Sequence, residues 1–136
     1  MKRYSGVLVR HNNKVLLCKR SAHQDSLAGE WSIPCGSIEK NETPKEAAYR
    51  EFQEETDKEI NGSLDFAGSV KRMDRQGEEV KGLMYVYFHD SENEIIPDLE
   101  NAQDGEEHSK CGYFAIDELP SPLGNQLRKL ISIVLK

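Results

Sequence analysis

Apolar positions recur along this chain in short periodic runs. "YSGVLVR" (4–10) and "NKVLLCKR" (13–20) are β-rich runs split by the polar "HNN", which predicts a hairpin with a tight turn. "SAHQDSLAGEW" reads as a polar loop, and "WSIP" as a short extended piece that Pro34 stops from continuing. A helix should then begin sharply, with Thr43 as N-cap, Pro44 in the first helical position and Glu46 completing a capping box, and run to about Asp57. "GSLDFAGSVKRM" and "EEVKGLMYVYFHD" predict two more strands, the second alternating around Met84, Val86 and Phe88. The acidic "SENEIIPDLENAQDGEEHSK" reads as a surface loop turning at its Asp-Gly pair. "CGYFAI" predicts a last short strand. "SPLGNQLRKLISIVLK" predicts a closing helix with Leu123, Leu127, Leu130, Ile131 and Val134 on one apolar stripe. The sum is an α/β chain: a mixed sheet packed between helices.

With 136 residues, one domain over 1–136 is the expectation, with no repeat, low-complexity tract or linker to divide it. Arg10 and "HNN" cut the first apolar run well short of a signal peptide or a membrane span, so the reading is a cytoplasmic protein without a membrane partner. Cys18, Cys35 and Cys111 are odd in number, widely spaced and without a CxxC pair, and are expected to be free thiols. A net charge of −6 argues against a protein that coats nucleic acid, but leaves small anionic substrates open if a cation bridges them.

The chemistry concentrates in "GSIEKNETPKEAAYREFQEET" (36–56). On a helix Glu51 shares a face with both Glu54 and Glu55, so negative charges converge. Exposed, such a face costs only tenths of a kcal/mol per pair. Enclosed, the repulsion rises to roughly 4 kcal/mol per pair at an effective dielectric near 20, and a cation is required. Hard divalent ions such as Mg²⁺ suit oxygen ligands, and Arg50 can pair with a carboxylate to hold it. "REFQEE" alone leaves a metal site and a solvated face both open.

The wider spacing decides more. Gly36, Glu42, Arg50, Glu51, Glu54 and Glu55, with five residues between the first two and seven between Glu42 and Arg50, closely resemble the signature of the Nudix hydrolases. The resemblance covers about residues 4 to 120. It implies the Nudix fold and a Mg²⁺- or Mn²⁺-dependent hydrolase that cuts the pyrophosphate link of a nucleoside diphosphate joined to another group. It also implies roles: Glu54 and Glu55 as metal ligands, Glu51 as ligand or general base, Arg50 as the residue orienting a carboxylate, Glu42 as a brace. Cys35 stands where some relatives use a backbone carbonyl on the metal. Arg20 aligns with a phosphate-contacting arginine, and Glu107, with Glu106 the alternative, with an additional acidic ligand or base from a loop.

Two departures stand out. Asp57 and Lys58 replace the family's glycine and aliphatic residue, with Ile60 as the displaced apolar position, and "WSIPCG" replaces the usual Pro-Gly-Gly by Pro-Cys-Gly. Phe114 and Tyr113 are, by resemblance, candidates to reach a nucleobase, whereas Trp31, Tyr85 and Tyr87 read mainly as packing residues, and His23 and His108 as surface residues. The region "AGSVKRMDRQGEEVKG" lacks the proline and tyrosine that mark ADP-ribose and dinucleoside polyphosphate enzymes, which favours (deoxy)nucleoside triphosphates. ADP-ribose, dinucleoside polyphosphates and nucleotide sugars stay as alternatives, as do a nucleotide-binding regulatory module without turnover and a plain acidic interaction domain. Many relatives are dimers, so a homodimer is open too.

Overall fold

The structure is a computed structural model that describes residues 1–22, 28–73 and 78–135. Strands β1 (Lys2–His11) and β2 (Lys14–Arg20) form the expected hairpin, with Asn12 and Asn13 both at positive φ (50° and 58°), the conformation a two-residue turn demands. β3 (Trp31–Ser32) and β4 (Cys35–Ser37) follow, then helix α1 (Pro44–Thr56), β5 (Asp65–Met73), β6 (Val80–Asp90), a 3₁₀ turn at Gly105–Glu107, β7 (His108–Phe114) and helix α2 (Asn125–Val134).

The sheet runs β3-β2-β1-β6-β5, with β4 joined to β1 and β7 to β2. β1 and β6 are parallel and the other pairs antiparallel. β1 pairs with β2 only beside the turn, at Arg10↔Val15 and His11↔Lys14; farther along β1 pairs with β4. That divergence admits β4 under α1.

Both faces of the sheet are covered, which is why β1 and β2 read as continuous apolar runs. Val7, Val9 and Leu16 pack with Ala48 and Phe52 of α1. Leu8, Val15 and Leu17 point the other way, into a cluster with Val70, Met84, Val86 and Leu127 and Ile131 of α2. The β6 alternation holds at Met84 and Val86 and then breaks: Phe88 is half-buried, and His89 turns in to bond the Ser63 carbonyl through Nδ1 at 3.1 Å.

The start of α1 is as expected. The Glu46 amide donates to Thr43 Oγ1 at 3.1 Å and the Thr43 amide donates to Glu46 Oε1 at 2.8 Å. At the other end Asp57 occupies the left-handed region (φ 59°, ψ 24°) that a glycine fills most easily, and its amide still closes onto the Gln53 carbonyl at 2.9 Å. Ile60 is buried under the same cluster as α1, as the displaced apolar residue should be. Asp57→Gly is therefore expected to raise stability by roughly 0.5 kcal/mol in denaturant titration, the residual steric relief at an αL site.

Several sequence expectations are corrected. Cys18 and Cys111 are disulfide-bonded, not free thiols: β2 and β7 place them directly opposite one another across 93 residues of chain, and only Cys35 is free, and buried. The last strand starts at His108, before the Cys-Gly pair, and ends at Phe114. The closing helix starts at Asn125; Leu123 lies ahead of it, bridged to Trp31, although it is buried in the same core as Leu127 and Ile131. No helix among the described residues is long and apolar enough to cross a membrane.

Candidate functional site

The site forms where α1 crosses β4 and the 3₁₀ turn. Gly36 of β4 lies directly beneath the Glu51 side chain, and a Cβ at that position would collide with the Glu51 carboxylate. The glycine is demanded by close approach. Glu51 and Glu55 are buried residues on the inner side of α1, and Glu54 is the more open, its side chain 24% exposed against 11% for Glu51 and 1% for Glu55.

Arg50 organises the outer half. Its Nε and Nη2 grip Glu42 in a two-point pair at 2.7 and 2.8 Å, Nη2 also donates to the Ser37 carbonyl at 2.9 Å, and Nη1 reaches Glu51 Oε1 at 2.8 Å and Glu54 Oε1 at 3.2 Å. One guanidinium thus ties the loop before α1 to the carboxylates on it. Its hydrogen bonds hold Glu42 below the ordinary carboxylate range, and the same contacts push Arg50 itself upward.

The inner half is Glu55. Its Oε1 accepts from the Cys35 amide at 3.3 Å and lies 2.6 Å from His108 Nε2, while Oε2 is buried with no hydrogen-bond partner. Burial, then the charge of Glu107, then the neighbouring Glu51 carboxylate raise this carboxyl well above the ordinary glutamate range. Glu54 is raised in the same direction by burial and by Glu51, against the pull of Arg50. Burial drives the Cys35 thiol up to about 12, so it is inert as a nucleophile.

The 3₁₀ turn supplies the far wall. Glu107 is half-buried and raised by burial and then by Asp104, and its charge acts on Glu55, whereas Glu106 is exposed. Ser21 clamps the turn to the end of β2: its amide donates to the Glu107 carbonyl at 2.9 Å and its hydroxyl to the Glu106 carbonyl at 2.7 Å. The charge of Arg20 is felt at Glu107 and His108, so that arginine lies within electrostatic reach of both.

His108 is not a surface residue. It is buried against Glu55, and burial, then Arg20, lower its imidazole to about 4, so it is neutral. Its sequence position after "DGEE" gave no sign of this, because the 3₁₀ turn that rolls it inward has no periodic signal. Asp104 was also missed: its amide donates to the Glu54 carbonyl at 2.7 Å, and its charge acts on both Glu54 and Glu107.

The aromatic candidates lie elsewhere. Phe114 ends β7, roughly 20 Å along the strand from His108 at about 3.3 Å per residue, and packs edge-on to buried Trp31 at 5.1 Å. The Tyr113 hydroxyl donates to the Ile95 carbonyl at 2.7 Å and accepts from its amide at 3.0 Å, which fixes a loop. Tyr85 and Tyr87 meet Phe66 on the sheet at ring distances of 6.3 and 5.6 Å. His23 lies outside the described residues. A concavity of about 470 Å³ lined by Glu59, Ser63, Asp65, His89, Asp90 and Ile95 contains none of the carboxylates of the signature, and its Asp90 is ion-paired with Arg10 at 3.0 Å.

Oxygen donors of this kind suit a hard divalent cation, and the buried, unpartnered Glu55 Oε2 is an atom that could ligate one. Among the described residues no three acidic, histidine or cysteine side chains are gathered around one point, and Arg50 is ion-paired with both Glu51 and Glu54.

The chain is 39% identical over 51 residues to the 8-oxo-dGTP diphosphatase of Proteus vulgaris, covering 38% of this chain and 45% of that protein. It is 30% identical over 102 residues to the RNA pyrophosphohydrolase of Pelagibacter ubique, covering 65% and 62% respectively. Both matches span less than two thirds of the relative's length. In fold it is similar to the MutT NUDIX hydrolase from Burkholderia pseudomallei, with a TM-score of 0.79, 24% identity and coverage of 96% of this chain and 95% of that one. The pattern of the NUDIX domain family matches residues 2–132, nearly end to end across the carboxylate helix, its glycine and the sheet beneath them, and the chain belongs to that family.

Proposed function

We propose that the chain is a Mg²⁺- or Mn²⁺-dependent pyrophosphohydrolase of nucleotides, with (deoxy)nucleoside triphosphates as the leading substrates. The observation that carries this reading is the carboxylate array itself: Glu55 buried with one oxygen unpartnered, beside Glu51 and Glu54 tethered to Arg50. A family domain retained only to bind a ligand has no use for so costly a cluster. The names of the relatives, an 8-oxo-dGTP diphosphatase and RNA pyrophosphohydrolases, support the same chemistry.

Glu51, Glu54, Glu55 and Glu107, with the backbone carbonyl of Cys35, would hold the cation. Bound there, it would neutralise phosphate oxygens and bring the attacking water toward hydroxide at neutral pH. Arg50 keeps Glu51 and Glu54 in register, Arg20 meets a phosphate, and Glu54, the most open of the three helix carboxylates, is best placed to meet water and substrate. Water adds to one phosphorus of the anhydride and yields its proton to a carboxylate of the cluster, the bridging P–O bond breaks, and a nucleoside monophosphate and pyrophosphate leave.

The test is a panel of nucleoside triphosphates, 8-oxo-dGTP, ADP-ribose, dinucleoside polyphosphates, nucleotide sugars and a short RNA with a 5′-triphosphate, each with Mg²⁺ or Mn²⁺. Monophosphate and pyrophosphate from a free triphosphate are expected, with turnover falling on the order of 10²–10⁴-fold in Glu54→Gln while the melting temperature holds. Cleavage of ADP-ribose or RNA alone would replace the substrate class. No cleavage of any member by a folded chain would overturn the hydrolase reading.

A further inference from the structure

His108 lies outside the family signature, yet it makes the shortest contact to any carboxylate in the site. Nε2 is 2.6 Å from Glu55 Oε1, and both side chains are 1% exposed. An imidazole placed at the start of a strand in a buried position is expensive unless its polar atoms are used. Here one nitrogen is used, on Glu55, and the other, Nδ1, has no partner. A histidine kept only for packing would leave its place to a leucine.

The same contact explains the asymmetry of the Glu55 carboxylate. Two polar groups meet Oε1, the Cys35 amide from β4 and the His108 ring from β7, and none meets Oε2. The amide at 3.3 Å is the weaker donor, and alone it would leave the carboxyl free to turn about its terminal bond. With the ring bond added, one oxygen is pinned and the other is presented. His108 is itself fixed, because β7 pairs with β2 at Arg20↔His108 and the preceding 3₁₀ turn is clamped by Ser21.

We propose that His108 is a positioning residue for cation binding: donating from Nε2, it locks Glu55 through Oε1 so that Oε2 faces the ion. The inference rests on the proposed metal-dependent function, since Oε2 needs an ion to face. Outer partners that orient a ligating carboxylate typically change metal affinity by about 10–100-fold.

Mn²⁺ binding to the substrate-free chain, followed by the electron paramagnetic resonance of the free ion, separates the two ideas. His108→Leu is expected to bind Mn²⁺ roughly 10–100-fold more weakly than the native chain. His108→Gln, whose amide nitrogen extends to about the position of Nε2, should recover binding to within a few-fold. His108→Asn, polar but too short to reach Oε1, should match the leucine variant, and it serves in its place if His108→Leu does not fold. Native-like Mn²⁺ affinity in His108→Leu or His108→Asn overturns the inference, as does a glutamine variant that binds no better than the asparagine one. A native chain that binds no Mn²⁺ overturns the proposed function beneath it.

Discussion

Glu55→Gln is expected to give a chain that is more stable without metal and nearly inactive with it. The native carboxyl is buried, crowded by the charges of Glu107 and Glu51, and has an oxygen without a partner. Leaving such a group unmatched costs on the order of 1–2 kcal/mol, which the neutral amide largely removes while Oε1 can still accept from Cys35. Turnover with Mg²⁺ should fall at least on the order of 100-fold, because the variant lacks the oxygen offered to the ion. Because the Glu55 value is raised in the fold, the folded native chain takes up this proton before the unfolded chain does. Its penalty is therefore full at alkaline pH and relieved as pH falls toward the ordinary glutamate range. The advantage of the variant should be largest near pH 8 and shrink toward pH 5. His108 works with the opposite sign, since its value of about 4 means the unfolded chain protonates first below 6.5, and its contact with Glu55 makes the comparison cleanest at pH 8, where the imidazole is neutral in both states. Thermal melts in metal-free buffer decide the matter, and a variant no more stable than native at pH 8 would contradict the charge account.

Arg50→Met should act in the other direction. It takes the guanidinium from Glu42, Glu51 and Glu54 at once and leaves the Ser37 carbonyl without that donor. Removing one side of a buried ion pair costs several kcal/mol, and with the Arg50 side chain 23% exposed we expect roughly 2–4 kcal/mol in urea titration. Part of that loss is repulsion among the remaining carboxylates, so added salt should shrink it. A midpoint change worth less than about 0.5 kcal/mol, the range of an ordinary surface substitution, would show that the network is ornamental.

What could be read from the chain follows the range of the interactions involved. The capping box at Thr43 and Glu46 is local, so the start of α1 was legible to the residue, and the asparagine turn between β1 and β2 equally so. The spacing of Gly36, Arg50, Glu51, Glu54 and Glu55 is also local, and the structure brings these residues together. Asp57 looked like a departure, yet it takes the left-handed conformation of the glycine it replaces, because a short polar side chain tolerates that region better than most. The illegible contacts join distant strands. The pairing of Cys18 with Cys111 and the contact of His108 with Glu55 both depend on β7 lying beside β2, a register that no pattern within "EEHSKCGYF" reveals. Asp104 was hidden for the same reason, inside an irregular acidic segment where turn residues and site residues look alike.

The contact between Gly36 and Glu51 bears on how rigidly the site holds its shape. Elsewhere α1 rests on the sheet through side chains, such as Phe52 against Val7 and Val9, which can shift rotamer when the core is disturbed. At Gly36 there is no such cushion, because the main chain of β4 abuts the carboxylate itself. The location of that negative charge is thus bounded on one side by backbone, while Arg50 holds it from the other. A charge anchored in this way needs little rearrangement when substrate arrives, the property that makes preset electrostatics effective in a reaction centre.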